Sequence, residues 1–307
     1  MTPLLVVNPR SGGGATGRSF GAMQATIERA LGKVEVVMTD RPGHGIELAR
    51  EGARAGHPMI VAVGGDGTIH EVVNGLMQAG RDGVELGVIG QGTGGDLRKT
   101  LGIEHRLDRY VEAIASGKRR TIDVGRFRGG GRDEHYFVNI LSAGMGGLVD
   151  RYVADAPRAL GGKAAYFGAS FRALLAARLG NVRCTIERDG ATEEHLIRSY
   201  MIAICNGRYF GGGMKVAPMA DLGDGLFDVV ALGATSKLGF SLTSGKIYSG
   251  AHIGQPGTVH LRASRVRLEL LNADGRDVYL LDVDGEPMGG LPLEVEVLPK
   301  ALVLRAP

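Results

Sequence analysis

Cysteine and aromatic side chains are scarce in this sequence. Its 307 residues include two cysteines, no tryptophan and an aromatic fraction of 5%. Cys184 and Cys205 form no CxxC pair, which argues against a disulfide framework and fits a reducing compartment. Because the apolar fraction is 44%, we expect aliphatic side chains to fill most of a sizeable core.

Long hydrophobic runs are also absent. No stretch of roughly 18 uncharged apolar residues occurs, which argues against a membrane-spanning helix. The apolar run at residues 4–7 follows no basic segment and is too short for the core of a signal peptide. We therefore expect a cytoplasmic protein.

A strong excess of charge of either sign is lacking too. The formal net charge is +3 at pH 7, which is too small to predict a nucleic-acid partner. The mild positive excess fits an anionic ligand or an anionic membrane surface.

Glycine, in contrast, is abundant, at 51 residues without the period of collagen. Three glycine-rich segments each follow an apolar run. They are the first turn (residues 8–14, NPRSGGG), the second turn (residues 64–68, GGDGT) and the third turn (residues 90–96, GQGTGGD). Glycine at such places permits tight turns and a close approach of the backbone to a ligand.

The sequence up to residue 121 alternates between predicted strands and helices. Apolar strands are predicted at residues 4–7, 34–38, 59–63 and 85–89, and amphipathic helices at residues 18–31, 46–55 and 69–77. Continuous apolar strands separated by helices are typical of a parallel sheet covered on both faces. We predict an α/β fold with an N-terminal parallel-sheet domain over residues 1–121.

The pattern changes beyond residue 121, where most predicted strands are joined by turns. These strands are predicted at residues 136–141, 182–187, 199–205, 226–232, 259–261, 266–271, 278–283 and 293–298. Helical inserts are predicted near residues 164–179 and 237–248. We predict a C-terminal antiparallel, β-rich domain with helical inserts over residues 122–299.

The glycine turns predict a binding site for a polyanion. Turns that follow parallel strands meet at the carboxyl edge of the sheet, where their backbone N–H groups and the helix N-termini favour anions. No Walker A sequence is present. The first turn formally matches GxGxxG through Gly12, Gly14 and Gly17, with Asp40 after the next strand, so an NAD(P)-binding dehydrogenase is an alternative. A dehydrogenase does not need the other two turns, which favours a nucleotide-binding domain of another kind.

The same turns carry a family resemblance. The second turn and the residues after it, IHEVVNGL, closely resemble the core motif of the diacylglycerol kinase catalytic-domain family, which includes bacterial diacylglycerol kinases, sphingosine kinases and ceramide kinases. The first and third turns resemble its neighbouring motifs, and residues 211–225 and 284–286 its later ones. The matches follow the family's order over nearly the whole chain. One departure is Gly95, which stands where the family usually has Asn.

The resemblance implies an ATP-dependent lipid kinase that uses Mg²⁺ and a lipid-substrate domain over residues 122–299. It also implies that residues of about 300–307 complete the first domain. The nucleotide contacts implied are Asn8, Arg10, Ser11, Gly12, Thr39, Gly64, Gly65, Gly67, Thr68, Glu71, Thr93 and Asp96. For Arg10, contact with the lipid head group is an alternative to contact with phosphate. The metal ligands implied are Asp221, Asp224 and the carbonyl of Leu226, whose oxygen atoms suit Mg²⁺.

Two carboxylates are the candidate catalytic residues. The resemblance places Glu286 in the family's proton-acceptor position. Asp66 lies in the second turn, where a bare carboxylate next to ATP would be repelled unless a cation lay between them, so we assign it to a Mg²⁺ and water network.

The resemblance also implies the partners, which are ATP and a lipid hydroxyl reached by transient, peripheral contact with a membrane surface. It leaves a homodimer open, and it leaves open which lipid is phosphorylated: diacylglycerol, a sphingoid base or a related lipid. An NAD kinase-like small-molecule kinase and a non-catalytic nucleotide or lipid sensor are further alternatives. The triple glycine at residues 211–213 and the pair Asp284 and Glu286 favour the lipid kinase.

Overall fold

The structure is a computed structural model that describes residues 2–92, 94–155, 169, 172–173, 175–233, 245–272 and 279–307. The chain divides into two compact units. Unit 1 comprises Met1–Val124, Tyr136–Val138 and Pro299–Pro307, and unit 2 comprises Gly125–His135 and Asn139–Leu298.

Unit 1 is built on a parallel sheet with helices between its strands. In chain order the elements are β1 (Leu4–Val7), a short 3-10 helix (Ser11–Gly14), α1 (Ala15–Leu31), β2 (Glu35–Met38), α2 (His44–Ala55), β3 (Met59–Gly64), α3 (Asp66–Ala79), β4 (Glu85–Gly90), α4 (Asp96–Leu101) and α5 (Leu107–Ser116). The strands lie in the order β2-β1-β3-β4 and are parallel. Every residue of β1, β3 and β4 is buried, as continuous apolar strands between two helical layers should be.

The helices of unit 1 pack in pairs, α2 against α3 and α1 against α5. Gly75 of α3 makes the first pair possible. A Cβ atom on Gly75 would lie 2.4 Å from the carbonyl oxygen of Ile46 and 2.7 Å from the Cβ of Ala49. Any larger residue at this position would therefore push the two helices apart.

Unit 2 is predominantly antiparallel. Its elements are β5 (Lys118–Gly129, which begins in unit 1), β6 (Arg132–Phe137, which ends in unit 1), β7 (Ile140–Gly144), α6 (Met145–Ala154), β8 (Gly180–Arg188), β9 (Ala191–Ser199), β10 (Met201–Cys205), β11 (Phe227–Leu232), β12 (Thr258–Ala263), β13 (Arg265–Leu270), β14 (Leu280–Val283), β15 (Glu286–Gly290) and β16 (Leu293–Ala306, which ends in unit 1). One sheet has the order β12-β11-β10-β7-β14-β15. In the other sheet, β13 pairs with β8 and with the first residues of β16, and β8 pairs with β9.

The structure confirms the predicted fold class, a parallel-rich sheet at the N-terminus and antiparallel sheets after it. At the C-terminus, Val303 and Leu304 of β16 pair in parallel with Glu85 and Leu86 of β4.

Several predicted elements differ in detail. The strand predicted at residues 136–141 is interrupted between β6 and β7, where the backbone N–H groups of Asn139 and Ile140 bind a side chain (described below) instead of a neighbouring strand. Helix α6 was not predicted, because its first residues, MGG, have the composition of a loop. Most of the two predicted helical inserts lies outside the described residues, although residues 245–249 are helical.

Within the described residues, no helix is both long enough and apolar enough to cross a membrane.

Candidate functional site

The three glycine turns lie against one another at the carboxyl ends of β1, β3 and β4. The backbone N–H of Gln91 donates a hydrogen bond of 2.7 Å to the carbonyl oxygen of Gly64. A Cβ atom on Gly92 would lie 2.9 Å from the Cα of Gly65, and one on Gly12 would lie 2.9 Å from the carbonyl oxygen of Gln91. Glycine is therefore required at these positions, because the turns touch backbone to backbone.

The second turn is completed by Thr68, in the first turn of α3. A Cβ atom on Gly64 would lie 2.2 Å from the Thr68 hydroxyl oxygen, so glycine makes room for this side chain. The Nδ2 of Asn8 donates a hydrogen bond of 3.2 Å to the same hydroxyl oxygen and thereby ties the first turn to the second. Gly65 precedes α3, and Gly67 lies within its first turn.

Asp66 ties the second turn to the third. Its Oδ2 accepts a hydrogen bond of 2.8 Å from the backbone N–H of Gly95. A Cβ atom on Gly94 would lie 2.5 Å from this oxygen, so the absence of a side chain there admits the carboxylate. One carboxylate oxygen of Asp66 is thus used to hold the third turn in place.

The third turn also contains Asp96, which is buried at the start of α4. The ammonium group of Lys99 lies 2.7 Å from Asp96 Oδ1 and 2.9 Å from the carbonyl oxygen of Gly94. Sequence reasoning did not single out Lys99. Its position could have indicated this role, because a lysine three residues after an aspartate in a helix lies close enough to form an ion pair with it. Thr93, another predicted nucleotide contact, lies outside the described residues.

The first turn has a defined internal structure. Gly12 and Gly13 have φ angles of 60° and 66°, in the left-handed region that glycine tolerates. The Asn8 side chain accepts a hydrogen bond of 3.0 Å from the backbone N–H of Arg10, and the Ser11 hydroxyl donates one of 2.9 Å to the carbonyl oxygen of Asn8. The side chain of Arg10 is exposed, so its guanidinium group is accessible to an anion.

Two further predicted nucleotide contacts, Glu71 and Thr39, form hydrogen bonds with backbone groups of unit 1. Glu71 accepts hydrogen bonds of 2.7 Å and 2.8 Å from the backbone N–H groups of Gly43 and Gly45, at the start of α2. Thr39 is buried after β2, and its backbone N–H donates to Val7. Glu71 is thus a positioning residue for the segment that follows β2.

Tyr110 of α5 packs against Gly90, the first residue of the third turn. A Cβ atom on Gly90 would lie 2.5 Å from the Tyr110 hydroxyl oxygen. Burial raises the pKa of Tyr110 to about 12; the charge of Arg98 opposes this increase and that of Asp66 adds to it. Tyr110 therefore stays neutral at physiological pH and is suited to packing.

In unit 2, Glu286 is placed by a tight hairpin. Val283 of β14 pairs with Glu286 of β15, and the two residues between them, Asp284 and Gly285, have φ angles of 53° and 91°. An Asp-Gly pair with positive φ at both positions is the usual composition of a type I′ hairpin turn. The Glu286 side chain is exposed at the first position after this turn.

The hairpin turn is held by two aspartates. Asp284 Oδ1 accepts hydrogen bonds of 3.0 Å from the backbone N–H groups of both Asn139 and Ile140. Asp282 Oδ1 accepts one of 2.8 Å from the backbone N–H of Gly285. These bonds hold the backbone of the hairpin turn that precedes Glu286. The sequence motif identified Asp284 and Glu286 but not the partners at residues 139 and 140.

The predicted metal loop contains two aspartates, and each side chain accepts a hydrogen bond from the backbone N–H two residues further along the chain. Asp221 Oδ1 accepts from the N–H of Gly223, and Asp224 Oδ1 accepts from the N–H of Leu226, both at 3.0 Å. The other oxygen of Asp224 forms a salt bridge with Arg262, a partner that the sequence did not indicate.

Arg262 also faces the buried Asp228. The two residues are directly opposite each other on β11 and β12, and the Arg262 Nε lies 3.6 Å from Asp228 Oδ1. His260 lies 2.7 Å from the same oxygen. No group of three His, Cys, Asp or Glu side chains in the described part of the chain could hold a metal ion. The oxygen donors of Asp221, Asp224 and Leu226 nevertheless have the chemistry that Mg²⁺ prefers.

Two protein-family models match the chain. The model described as "Diacylglycerol kinase catalytic domain" matches residues 2–127, and the model described as "YegS C-terminal NAD kinase beta sandwich-like domain" matches residues 139–306.

Curated relatives align over almost the full length of the chain. The chain is 31% identical over 294 residues to a diacylglycerol kinase of Bacillus subtilis (strain 168), covering 94% of this chain and 91% of the relative. It is 30% identical over 305 residues to a diacylglycerol kinase of Mycobacterium tuberculosis (strain CDC 1551 / Oshkosh), covering 98% of this chain and 94% of the relative.

A solved structure shares the fold. The crystal structure of a diacylglycerol kinase from Bacillus anthracis str. Sterne matches with a TM-score of 0.71 and 20% identity, covering 100% of this chain and 97% of that one. At this identity the similarity establishes the fold. Together with the two family models and the sequence relatives, it leads to one conclusion: the chain belongs to the diacylglycerol kinase family and is a kinase.

Proposed function

We propose that the protein transfers the γ-phosphate of ATP to the hydroxyl group of a lipid such as diacylglycerol or a sphingoid base. One observation carries the nucleotide part of this proposal. Three glycine turns from adjacent parallel strands touch one another at one sheet edge, and Asp66 links two of them. Such an edge presents backbone N–H groups and helix N-termini to an anion with several phosphates.

The residues of unit 1 bind the nucleotide in this proposal. The glycines of the first and second turns bring backbone N–H groups close to the phosphates. Arg10 contributes an exposed guanidinium group, and Asn8 and Thr68 hold the two turns in register. Asp96 is neutralised by Lys99, so it adds little repulsion toward phosphate. We retain Thr39, Ser11 and Thr93 as proposed contacts on the resemblance alone.

Glu286 acts as the proton acceptor. The hydroxyl oxygen of the lipid forms a bond to the γ-phosphorus while the bond from this phosphorus to the β–γ bridging oxygen breaks and ADP leaves. The hydroxyl proton goes to the carboxylate of Glu286. The exposed side chain and the hydrogen-bonded hairpin beneath it support this role, because a general base must be accessible and held in position.

We propose that Asp221, Asp224 and the carbonyl of Leu226 hold Mg²⁺, and that Asp66 belongs to a Mg²⁺ and water network near the phosphates. When bound, Mg²⁺ supplies positive charge that offsets the charge of phosphates and carboxylates. The hydrogen bond from the Leu226 N–H to Asp224 holds the backbone of this loop next to the Asp224 carboxylate.

The acceptor lipid implies contact with a membrane surface. A lipid with two chains stays in the bilayer, so the enzyme has to meet its hydroxyl group at the interface. The formal net charge of +3 is compatible with approach to an anionic surface.

A lipid panel tests the proposal. The purified protein is incubated with γ-labelled ATP, Mg²⁺ and mixed micelles that contain diacylglycerol, sphingosine, ceramide or phosphatidylglycerol, and the transfer of label to each lipid is measured. We expect labelled product from at least one lipid. Absence of transfer to every lipid, with ATP bound normally, would contradict the lipid-kinase proposal.

An NAD kinase-like activity is the second candidate, because the family model that matches residues 139–306 is described as NAD kinase-like in its β sandwich. The same assay with NAD as the acceptor separates the two activities. Labelled NADP without any labelled lipid would favour this second candidate.

A further inference from the structure

A short helix in unit 2 and the segment packed beside it expose two large apolar side chains. Tyr248, in this helix, is 57% exposed, and Met219 is 38% exposed. Single exposed apolar residues are common on protein surfaces, whereas neighbouring ones indicate a contact site. We call residues 215–219 and 245–250 together the Tyr248 surface.

The two segments of the Tyr248 surface are joined by direct contacts. The backbone N–H of Lys215 donates a hydrogen bond of 3.0 Å to the carbonyl oxygen of Ile247. A Cβ atom on Gly250 would lie 3.1 Å from the Cβ and Cγ atoms of Pro218. Ile247 is 5% exposed and belongs to the apolar core of unit 2. The helix is therefore fixed on its inner side, and its other side chains lie at the surface.

Two lysines give this surface a positive charge. The Lys246 ammonium group lies 3.4 Å from the side-chain oxygen of Gln255, and that of Lys215 lies 5.9 Å from the centre of the Tyr209 ring. Neither lysine forms an ion pair with any residue that the structure describes. Asp221, the nearest acid along the chain, is assigned to the proposed metal loop. Both ammonium groups are therefore available to an external anion.

We propose that the Tyr248 surface is where the protein contacts an anionic lipid bilayer. Tyr248 and Met219 lie at the boundary between headgroups and acyl chains, and Lys215 and Lys246 bind lipid phosphate groups. A tyrosine suits this boundary because its ring is apolar and its hydroxyl group is polar. Buried apolar area and attraction between lysines and anionic lipids together set the strength of peripheral binding.

This inference rests on the proposed function, because a lipid kinase must reach a hydroxyl group that stays in the bilayer. Another exposed apolar residue of unit 2, Leu196, is less suited to a bilayer although it is 72% exposed. It lies opposite Arg183 in the sheet, beside the ion pair of Arg183 with Glu194. Contact with acyl chains there would remove water from these charges, which is unfavourable.

A single fluorophore tests the proposal on the full chain. The sequence has no tryptophan, so Tyr248→Trp introduces the only one. We expect its emission to shift to shorter wavelength when vesicles of phosphatidylglycerol and phosphatidylcholine are added, and to be quenched by lipids with brominated acyl chains. Leu196→Trp is the matched control, and its emission should stay unchanged while the protein is bound to the same vesicles.

Charge removal provides a second, independent test. The double variant Lys215→Gln/Lys246→Gln should raise the Kd for these vesicles at least about tenfold, as measured by flotation. The control is Lys33→Gln/Lys118→Gln, which removes the same charge from two exposed lysines elsewhere and should stay within about twofold of the wild type. Phosphoryl transfer to a short-chain, water-soluble diacylglycerol should be unchanged in both double variants.

The outcomes separate the inference from the function on which it rests. Unchanged emission of vesicle-bound Tyr248→Trp, or an equal loss of binding in the two double variants, would overturn the assignment to this surface. If the wild type phosphorylates lipid in micelles but binds no phosphatidylglycerol vesicle, the inference fails and the proposed function stands. Vesicle binding with the expected emission shift, but without transfer to any lipid, would leave the surface standing and contradict the proposed function.

Discussion

The carboxylate of Asp66 accepts a hydrogen bond of 2.8 Å from the backbone N–H of Gly95, across 29 residues of sequence. This bond fixes the third glycine turn against the second. It also directs the Asp66 carboxylate along the edge of the sheet where the turns meet. The charge of Asp66 and the placement of the third turn are therefore coupled, and mutations can separate them.

Asp66→Asn retains an oxygen that can accept from Gly95 but removes the charge. We expect kcat to fall at least about a hundredfold, because the carboxylate is assigned to the cation network at the phosphates. The melting temperature should change by only a few degrees. Asp82→Asn, in the exposed turn before β4, is the control and should leave kcat unchanged. Normal activity of Asp66→Asn would remove Asp66 from the catalytic residues.

Glu286→Gln replaces the proposed base with a neutral group of the same size. Gln cannot take up the hydroxyl proton at neutral pH, so we expect kcat to fall by at least roughly a hundredfold. The Kd for ATP, measured by calorimetry, should stay within about twofold, since the nucleotide contacts are assigned to unit 1. Glu294→Gln on β16 is the matched exposed control. A Glu286→Gln variant with wild-type kcat would show that another group accepts the proton.

Asn74 is fully buried and pairs with the backbone of Tyr136. Its Oδ1 accepts from the Tyr136 N–H at 3.0 Å, and its Nδ2 donates to the Tyr136 carbonyl oxygen at 2.9 Å. Asn74→Ala leaves two buried backbone groups without these partners, so we expect the free energy of unfolding to drop by about 2 kcal/mol. Urea denaturation measures the change. Asn181→Ala, an exposed site on β8, should differ little from the wild type, and an equally small effect of Asn74→Ala would contradict the prediction.

Arg262 forms a salt bridge with Asp224 in unit 2, so we expect it to compete with a metal ion at the proposed metal loop. Arg262→Gln should therefore tighten Mg²⁺ binding by roughly threefold to fivefold, because a partly exposed ion pair contributes up to about 1 kcal/mol. A calorimetric Mg²⁺ titration without nucleotide measures this change. Arg265→Gln, which removes a neighbouring exposed arginine, is the control. If Asp224→Asn binds Mg²⁺ as well as the wild type does, the loop is not the metal site.

We expect His252 to make the stability of unit 2 depend on pH. Its imidazole is 2% exposed and donates from Nε2 to the carbonyl oxygen of Val216 at 2.9 Å. Burial lowers the pKa of His252 below its usual 6.5, although backbone contacts to Val216 and Lys246 oppose this decrease. As the pH falls below 6.5, the imidazole is protonated to a greater extent in the unfolded state than in the folded state. The unfolded state then binds more protons, and the free energy of unfolding falls as the pH decreases.

We expect His252→Gln to reduce the difference in unfolding free energy between pH 7.5 and pH 5.5, as measured by urea denaturation. Gln can still donate to Val216 but does not titrate. His195→Gln on β9 is a control at a more exposed histidine. An unchanged pH dependence in His252→Gln would rule out this histidine as its source.

Much of unit 1 could be predicted from the sequence, because its signals are local. Apolar runs marked the strands at residues 4–7, 59–63 and 85–89, and the glycine turns marked the sheet edge where they meet. Both signals depend on residues close together in the chain. Local composition did not predict α6, because its first residues, MGG, are typical of a loop.

The sequence by itself determined the parallel sheet, the order of the motifs and the family. Hydrophobic periodicity and turn composition can be recognised from residues that are neighbours in the sequence. Only the tertiary structure decided the partners of the charged and polar side chains. Asp224 meets Arg262 because of the register between β11 and β12, and Asp66 meets the backbone N–H of Gly95 because β3 and β4 are paired side by side. Such contacts depend on strand register and on how the backbone folds back. No local pattern in the sequence specifies either of these.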